Sequence, residues 1–318
     1  MNLKTVSSAR PAAATSATTV GGGEHARLGV WLVLGSAVVW SFGGALGRLF
    51  DMVDSWTVIF WRSVWAALFL LCFMLIRDGL HGTIRLFANM GLPGVAVGLC
   101  FATASTSFIV ALGHTTVANI LLIQAGVPLI AALIAWIVFR ERVTLPTWIA
   151  ISVVIIGVAV MVSESFAGTL SPIGDALALL IAFCLATATV ITRHFAHVRM
   201  LPAVCLGTII AACTSAMMAG SVAVGWNDMG LLFVFGALNL GFGLALFVTG
   251  ARLVAAPVVA LIGTAEPVLG PLWVWLFMSE TPSGRTLIGG AIVLTALVTH
   301  LGWRSRALLA HRGGESGS

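Results

Sequence analysis

Charge is what this sequence has least of. Only 8% of its 318 residues are charged, 16 Lys+Arg and 11 Asp+Glu, against about 25% in a soluble domain. With 59% hydrophobic residues, a water-soluble globule of this size could not hide its apolar surface, so that class is excluded. The five cysteines (Cys72, Cys100, Cys184, Cys205, Cys213) are scattered through apolar stretches; they form no disulfide framework and read as small apolar residues. Catalytic signatures are missing as well: there is no GxSxG, HExxH, Walker GxxxxGK[ST] or Asp-rich prenyl-diphosphate motif. His194 and His197, beside Arg193 and Arg199, lack the further ligands a metal site needs. No cofactor is implied. The net charge of +5 comes without a basic patch interleaved with aromatics, so nucleic acid is not an expected partner.

What the sequence has is long apolar runs, continuous rather than alternating, which excludes a transmembrane β-barrel. A spanning helix needs about 20 apolar residues. Ten segments qualify: 28–50, 55–76, 91–113, 117–139, 147–163, 173–193, 202–224, 230–250, 255–278 and 286–303. Residues 1–27, rich in Ala, Ser, Thr and Gly, read as a disordered tail, and 304–318 as a second tail. The lipid bilayer is the first partner; nothing in the composition speaks to oligomeric state.

Lys and Arg gather on the cytoplasmic side of membrane proteins. With the N-terminus inside and ten alternating spans, 13 of the 16 basic residues fall inside, Lys4, Arg10, Arg142 and Arg252 among them. Only Arg48, Arg62 and Arg285 do not. Asp51, Asp54, Glu164, Asp175, Asp228 and Glu280 fall outside. The expectation is therefore a multi-pass protein of the cell's inner (plasma) membrane with both termini cytoplasmic.

The chain also repeats itself. Shifted by 139 residues, 122–154 falls on 261–293 without a gap and matches Pro128 to Pro267, Trp136 to Trp275 and Glu141 to Glu280. A shift of 145 matches Arg48 to Arg193 and Phe50 to Phe195. The expected units are 28–163 and 173–303, each of five spans. Five is odd, so the second unit enters from the opposite face. The fold class is all-α polytopic, with ten transmembrane helices in two inverted five-helix repeats. Many secondary transporters use that architecture for alternating access around a mid-membrane site. Channels and some membrane enzymes share it, so a passive channel and an intramembrane enzyme stay open as alternatives.

The paired segments QAGVPLIAALIAWIVFRERVTLPTW and TAEPVLGPLWVWLFMSETPSGRT, with Arg62 early in the second span (IFWRSVWAALFLL), resemble the drug/metabolite transporter superfamily, specifically its EamA-type members. The resemblance covers residues 28–303. It implies a central cavity surrounded by the first four helices of each half, with the fifth and tenth more peripheral. It also implies transport of small metabolites, amino acids or drug-like amphipathic compounds, export being the expected direction, by exchange or proton coupling. The family-like intramembrane Glu266 has Val127 as its counterpart in the first copy, so its task is done once.

Ionisable groups inside a bilayer need a partner or a purpose. Glu266 stands roughly 15 Å into its span, near the midplane, as a candidate for proton coupling or amine binding; equally, it could satisfy backbone groups freed by Pro267. Arg62 could bind a substrate carboxylate or pair with Glu266; the alternatives are snorkelling to headgroups and a fixed ion pair. Thr103, Ser107 and His114 share one helical face, and Asn119, Gln124 and Asn239 are intramembrane amides, each a candidate for substrate binding or, more commonly, for interhelical glue. Trp40 and Trp136 lie deep enough to wall a cavity. The Gly43, Gly44 and Gly47 stripe suits close helix approach.

Overall fold

The computed structural model describes residues 20–50, 54–141, 143–166, 171–195, 199–254 and 256–315, and among them every regular element is helical. Lys4, Arg10, Asp51, Arg142, His197 and positions 1–19 of the expected tail lie outside the described residues. Helix α1 (Val20–Ser41) is continued after a single break by α2 (Gly43–Arg48). Next come α3 (Ser55–Ala88), α4 (Gly91–Leu112), the half-helices α5 (Val117–Gln124) and α6 (Val127–Phe139), and α7 (Leu145–Phe166). The second half runs α8 (Pro172–His194), α9 (Met200–Met218), then α10 (Trp226–Phe233) joined through a π-helical stretch (Val234–Phe242) to α11 (Gly243–Gly250). It ends with α12 (Ala256–Gly263), α13 (Glu266–Met278) and α14 (Gly284–Glu315). Among the described residues nine helices are long and apolar enough to cross a membrane, or ten with the bent α5–α6 pair taken as one span.

Both copies break their fourth span at the same place. Pro128 opens α6 and Pro267 opens α13. Proline has no N–H to donate back to the preceding turn, so the helix stops and restarts there. The interruptions, 125–126 and 264–265, are again 139 residues apart, and α5 and α6 meet at 43°.

The halves interlock through small residues. A Cβ added at Gly98 of α4 would stand 2.9 Å from the carbonyl oxygen of Ala203 on α9, so these backbones touch directly, as membrane helices do in the absence of a hydrophobic force between them. The glycine stripe works the same way: Gly44 abuts Val117, Gly47 abuts Leu112, and Gly43 faces Asn239, where a Cβ would lie 3.2 Å from Oδ1. Helices α7 and α14 pack mainly on each other, with Gly157 against Gly289.

Three expectations change. The first, second and last helices reach further than hydropathy suggests, to Val20, Ala88 and Glu315. The seventh span ends at Met218 rather than 224. Residues 219–225 instead run along the start of α3, where Thr57 Oγ1 donates to Ser221 O at 2.6 Å and Trp61 Nε1 to Val222 O at 2.8 Å; these side chains take carbonyls that a helix would have used. Asp175, expected as a loop charge, is buried and accepts from Asn119 Nδ2.

Candidate functional site

The broken fourth spans lead to the centre of the bundle. Here α1, α2, α3, α4, the end of α5, α8, the π-helical stretch and the start of α13 enclose a cavity of about 210 Å³. Its polar lining is Arg62, Ser105, Gln124, Asn239 and Glu266, and Trp40, Phe101 and Phe108 supply aromatic walls. A second cavity of about 470 Å³ shares Gln124, Leu185 and Glu266 with the first and extends past Thr189, Ala251 and Thr264. Thr189 stands one turn before Arg193 on α8, so this second cavity lies toward the bundle end that carries Arg193.

Arg62 is 7% exposed. Its Nη1 donates to Ser105 Oγ at 2.7 Å, and its guanidinium carbon lies 4.5 Å from the Phe235 ring centre and 6.0 Å from that of Phe108. A cation in such surroundings is held by ring quadrupoles rather than by water. It therefore points inward and does not snorkel. Among the described residues the ion pairs are Arg48–Glu280, Arg77–Asp78 and Arg193–Glu141, so Arg62 and Glu266 share a cavity without pairing. Three buried donors around that cavity have no hydrogen-bond partner: Arg62 Nε, Trp40 Nε1 and Gln124 Nε2. An unmade buried hydrogen bond is costly, and three such donors converging on one space suit a ligand that brings acceptors.

The π-helical stretch positions the opposite wall. Gly236 sits against the Arg62 carbonyl and Trp65, and Gly243 against the Trp40 indole. Asn239 donates to the Val39 carbonyl, tying this wall to α1. One-turn π insertions are frequent at functional sites because they re-aim a side chain within an otherwise continuous helix.

Of the residues singled out in the sequence, Trp40, Arg62, Gln124, Asn239 and Glu266 are brought together in this cavity. Asn119, Ser107 and His114 are not. Asn119 is fully buried, donating to Thr115 Oγ1 at 3.0 Å and to Asp175. Ser107 is buried outside the lining, His114 is exposed in the turn after α4, and Trp136 is exposed and packs edge-on against Trp148. On α4 the cavity face is Phe101, Ser105 and Phe108, spaced i, i+4, i+7 and roughly opposite the Thr103, Ser107 and His114 face. That periodicity was available in the sequence, but in a helix this apolar either face qualifies.

The sequence pattern of the EamA-like transporter family matches residues 27–163 and 172–301. No curated protein matches the sequence. A solved crystal structure is similar at 18% identity with a TM-score of 0.61, over 86% of this chain and 96% of its own, a likeness of fold.

Proposed function

This chain belongs to the EamA-like transporter family, and from that premise we propose a secondary transporter that moves small amphipathic metabolites, with amino acids the best-fitting class. Transport proceeds by alternating access around the central cavity. The direction is export across the inner membrane, as the family resemblance implies, and both termini are cytoplasmic on the strength of the basic loop residues. The cavity of about 210 Å³ lies below the roughly 300–1,000 Å³ of drug-sized sites, which favours small metabolites over larger drug-like compounds.

The observation that carries this reading is that Arg62 and Glu266 share the cavity unpaired. A zwitterion completes both. Its carboxylate accepts from Arg62 Nε, with Trp40 Nε1 and Gln124 Nε2 in reach of the same space, and its ammonium meets Glu266. Trp40, Phe101 and Phe108 then surround an apolar side chain. Glu266 is also the coupling candidate, being an intramembrane carboxyl with no charge partner. The deciding experiment is a metabolite screen in reconstituted vesicles, with and without an imposed pH gradient. Accumulation of a zwitterion against its gradient supports the proposal. Equilibration that never exceeds the outside concentration would identify a passive channel instead.

A further inference from the structure

Arg48–Glu280 and Arg193–Glu141 are the same ion pair made twice. Glu141 and Glu280 are 139 residues apart and Arg48 and Arg193 are 145 apart, the two offsets of the internal repeat. Each pair joins the first span of one half to the fourth span of the other. The two carboxylates are presented by equivalent helix ends. Arg140 closes α6 at φ 53°, ψ 31°, and Ser279 closes α13 at φ 56°, ψ 21°; both are non-glycine residues in the left-handed region. Behind them, Glu141 N donates to Ala135 O and Glu280 N to Val274 O, each at 3.4 Å. Left-handed non-glycine backbone is strained and tends to persist where the surrounding structure or function requires it.

The surroundings of the two pairs differ. Arg48 Nε meets Glu280 Oε2 at 2.9 Å, Arg48 also donates to the carbonyls of Leu112 and Thr115, and Glu280 Oε1 accepts from Val117 N at 2.8 Å. That network knits α2, the α4–α5 turn and the end of α13 together, with side chains only 20% and 19% exposed. The Arg193–Glu141 side chains are 54% and 41% exposed, and Arg193 Nη2 donates to Glu141 Oε2. The second cavity, which shares Gln124, Leu185 and Glu266 with the central one, lies toward this looser end and is lined by Thr189 and Ala251.

We propose that these pairs are the two latches of the transport cycle: the Arg48–Glu280 network holds one end shut in the state seen here, and Arg193–Glu141 becomes the locked network when the cavity opens to the other side. The repeat specifies the locked geometry. At an offset of 139, Leu112, Thr115 and Val117 correspond to Ala251, Val254 and Ala256. Arg193 would then donate to the carbonyls of Ala251 and Val254 at the end of α11, and Glu141 would accept from the N–H of Ala256. Ala251 now lines the second cavity, so making those bonds would close the bundle there. The proposal rests on the alternating-access reading and on neither substrate identity nor orientation.

The test is labelling of Ala104→Cys, a cavity-lining position, in full-length protein with the five native cysteines replaced, reconstituted in vesicles. A membrane-impermeant maleimide is added to one side at a time. The parent should label mainly from the Arg193 side, with a low level from the Arg48 side. Glu280→Gln should raise labelling from the Arg48 side by about tenfold or more, the scale of losing a charge-assisted hydrogen bond from one of two states. Glu141→Gln should lower whatever labelling occurs from that side. Arg48→Lys, which keeps the charge but loses the planar fork, should act like Glu280→Gln and serves if that variant does not fold. Unchanged labelling in both latch variants, or equal gains from both sides, overturns the proposal. If transport of every substrate fails while labelling shifts as expected, the latches stand and the substrate reading falls; intact transport with unshifted labelling sinks the latches alone.

Discussion

Arg62→Lys separates recognition of a carboxylate from mere positive charge. In the structure Nη1 is already engaged with Ser105 Oγ at 2.7 Å, while Nε is buried and unpartnered. Lysine carries a single nitrogen. Its three N–H groups share that one nitrogen, so, held at Ser105 and against the Phe235 face, it cannot place a donor where Arg62 Nε lies now. One charge-assisted hydrogen bond is worth about 1.5–3 kcal/mol, so KM for a zwitterion should rise about 10- to 100-fold. An amine analogue lacking the carboxylate should compete as it does against the parent protein. The assay is competition for uptake of a radiolabelled zwitterion in reconstituted vesicles, with gel-filtration profiles as the folding control. Equal weakening of both ligands would refute the reasoning, because Arg62 would then be a structural cation. No weakening of either would place the substrate elsewhere.

Further outcomes can be checked in parallel. Glu266→Gln should weaken affinity for a zwitterion, whose ammonium it meets, and abolish the response of the remaining transport to an imposed pH gradient; an unaltered pH response ends the coupling role. Gly236→Ala would set a Cβ 2.8 Å from Trp65 Cβ and against the Arg62 carbonyl. Such overpacking costs about 1–3 kcal/mol, to be read as a lower unfolding temperature in detergent. Asn119→Ala removes a donor to buried Asp175 and should cost about 1–3 kcal/mol of stability with substrate affinity intact. His114→Ala, in an exposed turn away from the cavity, should leave uptake unchanged.

The two copies divide the work unevenly. Their frame is symmetric: both fourth spans break at equivalent prolines, and both end in left-handed caps that present a glutamate. The lining is not. Val127 stands where the second copy has Glu266, and Gly263 where the first has Gln124. A symmetric frame lets the two ends exchange roles, and an asymmetric lining lets one substrate orientation be preferred.

How much of this was legible in advance depends on range. Apolar runs set by bilayer thickness located the spans, and a repeat visible in Pro, Trp and Glu at a common offset established the two halves. Those are local or self-referential properties, and the sequence by itself determined them. It also named Arg62, Glu266, Gln124, Asn239 and Trp40, because polar or deep aromatic groups are conspicuous in apolar helices. It could not select Ser105 over Ser107. Both are serines on one helix, and only the packing of α4 on α8 and α9 decides which face meets the cavity. Nor could it separate Asn119, which is spent on Asp175, from Gln124, which lines the central cavity. The pairing of Arg48 with Glu280 belongs to the same class: 232 residues separate the partners, and only the tertiary structure brings them together. Spans follow from the solvent each residue must face; the site follows from which helices touch, and that is settled by small-residue contacts spread over the whole chain.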